Sequence, residues 1–204
     1  MSAIQIRKAK REGARLVIML CGPSGSGKTR TALEIAFGLS DYNPAAIGFL
    51  DTENRRGSLY ADVFADPDRP DRTDEEFLIA DLFAPHSPDR YIESIQIFQR
   101  AGVKVLVIDS GSHEWEGIGG CLEIADGTNP NKPNWAKGKR EHKKFMNAVL
   151  TSDMHIILCL RAREKAKPEM QKVNGVDKLV NRFLRNEVSD YSATFRMRSS
   201  AGQW

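Results

Sequence analysis

The sequence predicts an α/β fold in which a mostly parallel sheet carries helices on both faces. Three observations predict it. Apolar runs of strand length recur along the chain, near 16–21, 46–50, 103–108 and 154–160, with helical spacing of apolar residues between them. Runs of that kind read as strands buried on both faces, as in a parallel sheet. The first run leads into Gly22-Pro23-Ser24-Gly25-Ser26-Gly27-Lys28-Thr29, which fits the phosphate-binding pattern G-x-x-x-x-G-K-[ST] at every fixed position. A helical pattern follows at once, so strand, glycine loop and helix come in the order a P-loop requires.

Each element can be justified in turn. Residues 1–14 are polar and basic and read as a lead-in. Leu16 to Cys21 is the first core strand, and 27–39 the first helix, with Ala32, Leu33, Ile35, Ala36 and Leu39 at helical spacing. Pro44 closes the turn after it. Ala46 to Leu50 is the second strand, ending in the polar burst Asp51-Thr52-Glu53-Asn54-Arg55-Arg56-Gly57. Ser58 to Phe64 is expected to form a short helix. Residues 65–75, with Pro67, Pro70 and many aspartates, form a loop, and Phe77 to Phe83 a short strand. Ser87 is an N-cap with Pro88 at the first helical position. The helix then runs to about 101 on Tyr91, Ile92, Ile95 and Phe98. Val103 to Ile108 is a strand ending at Asp109-Ser110. Helices are expected over 114–125 and 135–151, and a buried strand over 154–160 ending at Arg161-Ala162-Arg163. Residues 164–187 read as a loop with a short helix, and 191–198 as an edge strand.

Bulk properties narrow the class. At 204 residues the chain is expected to form one domain over 1–204, with 164–204 poorly patterned. No apolar run is long enough to span a membrane, and the first residues lack the apolar segment of a signal peptide. A cytoplasmic location is expected. Cys21, Cys121 and Cys159 have no metal-ligand spacing, and Cys21 and Cys159 fall in predicted core strands, so they are expected to be reduced. The net charge of +3 is unevenly spread: residues 1–39 carry +5, 40–126 carry −11 and 127–186 carry +9. A basic third beside an acidic third fits an anionic partner, head-to-tail self-association, or charges that mix on the folded surface.

The candidate site residues follow from the chemistry of phosphate. Gly22, Gly25 and Gly27 let the backbone approach an anion, and the next helix offers free N–H groups at its positive end. Pro23, Ser24, Ser26 and Arg30 complete the nucleotide-binding set. Lys28 places a charge on the β- and γ-phosphates, and the Thr29 hydroxyl is suited to Mg²⁺. Asp109, directly after an apolar strand, is the expected second Mg²⁺ residue at the carboxyl edge of the sheet. A hydrolase also needs a carboxylate to orient or deprotonate water. Asp51 and Glu53 both follow the second strand; Glu53, further into the loop, is the expected base and Asp51 a structural residue. His113 and Glu116 have spacing that permits metal ligation, without an evident third ligand. Trp115 is read as core packing or a base-stacking surface.

These residues resemble a family. Phe49-Leu50-Asp51-Thr52-Glu53-Asn54 looks like the segment of RecA-type ATPases that carries their catalytic glutamate, and Val107-Ile108-Asp109-Ser110 like their Walker B strand. Asp109 to Gly117 and Cys159 to Lys165 are similar to short, single-domain ATPases encoded by bacteriophages, some of which act in recombination and single-strand annealing. The resemblance covers about residues 14–167. It implies a three-layer RecA-like P-loop NTPase fold, with ATP and Mg²⁺ as ligands. It also implies that Arg161 occupies the place of a γ-phosphate-sensing residue, where RecA-type proteins often have glutamine. DNA is the implied partner. Lys137, Lys139, Arg140, Lys143 and Lys144, with Arg161, Arg163, Lys165 and Lys167, make a basic 132–185 region that could track single-stranded DNA. A homo-oligomer is also implied. Two other readings stand beside this one: a small-molecule or nucleotide kinase with Arg161 to Lys167 as a lid, and a nucleotide-gated DNA-binding or assembly protein with little turnover.

Overall fold

The computed structural model describes residues 15–65, 76–173 and 176–188. Five parallel strands form the central sheet: β1 (Val17–Gly22), β2 (Ile47–Asp51), β3 (Leu78–Asp81), β4 (Val105–Asp109) and the first part of β5 (His155–Val173). Their order across the sheet is β1-β5-β4-β2-β3. β5 is therefore inserted between the P-loop strand and the strand that ends at Asp109.

Helices cover both faces. Side chains alternate along a strand, so even these nearly all-apolar strands feed two cores. Leu106, Ile108, Ile156 and Leu158 pack on one face with Tyr91, Ile95 and Phe98 of α2 (Pro88–Arg100) and Phe145, Met146 and Val149 of α5 (Trp135–Thr151). Val105, Val107, Ile157 and Cys159 pack on the other with Ala32, Leu33 and Ala36 of α1 (Lys28–Leu39). The result is the three-layer α/β P-loop fold. Gly48 permits α2 to sit close on β2: a Cβ there would lie 2.6 Å from the Phe98 ring.

Four expectations are corrected. The helix expected over 114–125 is two short ones, α3 (Ser112–Glu116) and α4 (Cys121–Asp126). Gly117 and Gly120 are extended at the break and Gly119 has φ 77°, so three glycines interrupt the helical pattern. The helix expected at 58–64 is a 3-10 turn at Arg56–Tyr60, drawn forward because the Asp51 carboxylate binds the Gly57 N–H. Of the residues expected as loop and helix at 164–187, those at 164–173 and 176–187 are instead an antiparallel ribbon, formed as β5 runs on past the sheet and pairs with β6 (Val176–Val188). Cys21 is exposed rather than core, because β1 lies at the end of the parallel array. Cys121 and Cys159 are buried free thiols. The expected lead-in at 1–14, the loop over 66–75 and the edge strand at 191–198 lie outside the described residues. Among the described residues no helix is long and apolar enough to cross a membrane.

Candidate active site

Parallel pairing brings the carboxyl ends of the strands to one edge. Gly22 is in register with Arg161, and Asp109 with both Cys159 and Asp51. The sequence-predicted residues Lys28, Thr29, Glu53, Asp109 and Arg161 thereby line one cavity of about 250 Å³.

The P-loop supplies one wall. Gly25 and Gly27 have φ 79° and 83°, values that disfavour any side chain. Gly27 is the N-cap of α1 and no side chain caps the helix, so its first N–H groups face the loop without a side-chain acceptor. The Lys28 ammonium donates to the carbonyls of Gly22 (3.0 Å) and Pro23 (2.8 Å), folded back along the loop. Ser24, Gly25 and Gly27 line the same cavity, while Pro23 and Ser26 line an adjoining one behind the loop. Arg30 is not part of either: it reaches along α1 to Glu34 (2.7 Å), with both side chains exposed. A residue one position past Thr29 points around the helix, away from the loop.

The opposite wall is acidic. Thr29 Oγ1 donates to Asp109 Oδ2 at 2.6 Å, so the two residues expected to share a cation already meet. Burial pushes the Asp109 carboxyl above its ordinary range, and the Thr29 hydrogen bond only partly offsets that. The Asp109-Ser110 peptide is cis. Asp51 is structural, as expected: its Oδ1 accepts from Glu53 N (2.6 Å) and its Oδ2 from Gly57 N (2.5 Å). It shapes the turn that presents Glu53.

Glu53 faces two arginines. Arg161 donates through Nη2 (2.6 Å) and Nε (3.0 Å) to Oε1, and Arg56 through Nη1 to Oε2 at 3.3 Å. Burial alone would raise the Glu53 carboxyl, but Arg161 and then Arg56 outweigh it and hold Glu53 below the ordinary carboxylate range. Arg56 is a site residue that the sequence did not single out; it sits in a polar burst with no motif to mark it.

A layer of buried polar groups supports this wall. Thr52 Oγ1 accepts from Ser110 N (2.8 Å) and lies 2.8 Å from His113 Nδ1, tying the β2 loop to the end of β4. Tyr91 donates to the Ser110 carbonyl at 3.0 Å. The spacing of His113 and Glu116 permits metal ligation, but among the described residues the two belong to no cluster of three candidate ligands. Glu114 instead lies fully buried between Cys121 Sγ (3.0 Å) and His142 Nδ1 (2.9 Å), joining α3, α4 and α5. Trp115 packs partly buried against the core and edge-on to His142, which supports packing over base stacking.

A family model described as an AAA domain matches residues 14–190. The chain belongs to the AAA domain family. This AAA domain is accordingly a P-loop nucleotide-binding domain. No curated protein matches its sequence. Among solved structures it is similar to a KaiC-like protein from the hyperthermophilic archaeon Pyrococcus horikoshii OT3, with 18% identity and a TM-score of 0.43 over 84% of this chain and 79% of that one.

Proposed function

We propose that this AAA domain binds ATP with Mg²⁺ and hydrolyses the β–γ phosphoanhydride. The observation that carries this is the meeting, in one cavity, of the P-loop lysine, the Thr29–Asp109 pair and the Glu53 carboxylate. The P-loop N–H groups and the α1 N-terminus would hold the β-phosphate, with Lys28 leaving its loop carbonyls for the β- and γ-oxygens. Thr29 and Asp109 present hard oxygen donors suited to Mg²⁺, whose chemistry is to neutralise charge on the phosphate oxygens. Glu53 accepts a proton from water as its oxygen attacks the γ-phosphorus. The bond from that phosphorus to the bridging oxygen breaks, giving ADP and inorganic phosphate. In this reading Arg161 transfers a donor from Glu53 to the γ-phosphate.

Replacing Lys28 by Ala is expected to weaken ATP binding by about 10- to 100-fold, the scale of one or two charge-assisted hydrogen bonds. Titration calorimetry checks it. Unchanged affinity and unchanged phosphate release would sink the reading.

DNA as the partner, in recombination or replication of a bacteriophage, rests on the resemblance of the 109–117 and 159–165 segments. Support also comes from the exposed basic residues of α5, Lys137, Lys139, Arg140 and Lys143. A second reading, a nucleotide-gated DNA-binding or assembly protein with little turnover, is favoured by one observation: Glu53 is fully engaged by Arg161 and Arg56.

A further inference from the structure

The Glu53–Arg161 pair is a partition with a cavity on each side. One side is the nucleotide cavity. On the other lies a second cavity of about 640 Å³, which shares Glu53, Arg56 and Arg161 and adds Phe83, His86 and His113. Its character differs from a simple extension of the P-loop, because neither Lys28 nor any P-loop glycine lines it.

Its chemistry selects an anion. Two guanidinium groups face one carboxylate there. Burial holds both imidazoles below their ordinary value, so they add little charge to the two arginines, and His113 Nδ1 is already within 2.8 Å of Thr52 Oγ1. The two rings lie against each other with centroids 5.1 Å apart, and among the described residues His86 Nδ1 has no hydrogen-bond partner. Phe83 is 45% exposed, and the Arg55 guanidinium, paired with Asp81 at 3.1 Å, lies 5.9 Å from its ring centroid. Arginine forks match phosphate oxygens bidentately, and an exposed ring offers a stacking surface.

We infer that this second cavity binds a phosphate-bearing ligand, which competes with Glu53 for Arg161 and Arg56 and so frees the Glu53 carboxylate. Phosphate could come from a nucleic-acid strand or from a small phosphorylated molecule. The binding step stands on the cavity alone; its coupling to hydrolysis rests on the ATPase reading.

The test separates the two. Binding of an oligodeoxythymidylate and of tripolyphosphate would be titrated, without ATP, on wild type, on Lys28→Ala and on the double variant Phe83→Ala/His86→Ala. Lys28→Ala weakens the P-loop as an anion site by about 10- to 100-fold, as expected for ATP. It is expected to keep probe affinity within about twofold, and the double variant to lose at least tenfold while its ATP affinity, which reports an intact fold, stays unchanged. Binding of tripolyphosphate alone assigns a small ligand, and binding of the oligonucleotide assigns a strand; either supports the site. Where hydrolysis is measurable, the double variant should keep its basal rate and lose stimulation by the probe. The inference is overturned if Lys28→Ala binds neither probe, or if the double variant binds as wild type. Absence of hydrolysis in wild type would contradict the ATPase reading and leave these binding arms decisive.

Discussion

Arg161 places two donors, Nη2 and Nε, on a single carboxylate oxygen of Glu53, across 108 residues of sequence. The pair joins the β2 loop to β5 at the point where β5 leaves the parallel sheet, between the P-loop and the Asp109 strand. It favours the ionised form of Glu53, which the proposed base requires, while withholding one oxygen from water. Arg161 has the donors to exchange Glu53 for a γ-phosphate, which would couple nucleotide arrival to release of the base.

On the proposed role of Glu53 as the base, Arg161 acts on catalysis through it, so the loss of Arg161 should show in the pH profile. Burial pushes the Glu53 carboxyl up, and Arg161 is the larger of the two arginine effects that bring it down. In Arg161→Ala burial dominates, and Glu53 holds its proton to higher pH. The acid limb of the kcat/KM profile is expected to move to higher pH than in wild type, with KM for ATP also raised. An unmoved acid limb would separate Arg161 from the base.

Asp109 is a stability cost accepted at the site. It is 7% exposed, and burial raises its carboxyl in the folded state. A group raised on folding favours the folded state while protonated, so stability falls as pH rises through its folded value. Neutral Asn retains an acceptor for Thr29 and removes the charge. Asp109→Asn is expected to raise Tm by about 2–4 °C in the absence of nucleotide and Mg²⁺, the size of a ~1 kcal/mol effect in a chain of this length. Mg²⁺-dependent hydrolysis should be lost. Melting curves and phosphate release check the two halves, and a lowered Tm would contradict the burial argument.

The α5 surface can be tested apart from the nucleotide site. Lys144 is paired with Glu141 at 2.6 Å, which leaves Lys137 and Arg140, one helical turn apart and exposed, as the better candidates for a polyanion contact. Lys137→Glu/Arg140→Glu is expected to lower single-stranded DNA affinity and reduce the slope of log K against log salt by about 1 per lost phosphate contact. ATP affinity should not change. Equal DNA affinity at all salt concentrations would remove α5 from the interface.

The parts legible in the sequence are those fixed by local order. The P-loop needs only its eight-residue pattern between a strand and a helix, and Glu53 and Asp109 each follow an apolar run. A parallel sheet then gathers such ends at one edge, whatever the strand order. The parts that were not legible depend on register. The Glu53–Arg161 pair requires β5 to lie beside β4 with Cys159 opposite Asp109, which no local pattern states. Arg30 follows the motif in sequence but leaves the site because a helix turns about 100° per residue. The β5–β6 ribbon was obscured by Pro168 and by many lysines, both poor in strands. Its available signal is Asn174-Gly175 between Val173 and Val176, a favoured two-residue hairpin connection. The break between α3 and α4 was legible in principle from Gly117, Gly119 and Gly120.

The most direct measurement is phosphate release from ATP and Mg²⁺ by wild type beside Glu53→Gln, with ATP affinity measured on both. Wild type is expected to release phosphate, and Glu53→Gln to bind ATP within about twofold while releasing phosphate about 10²- to 10⁴-fold more slowly, the usual contribution of a positioned general base. Equal release by the two proteins, or no release by wild type that binds ATP, would contradict the assignment of Glu53 as the base of an ATP-hydrolysing site.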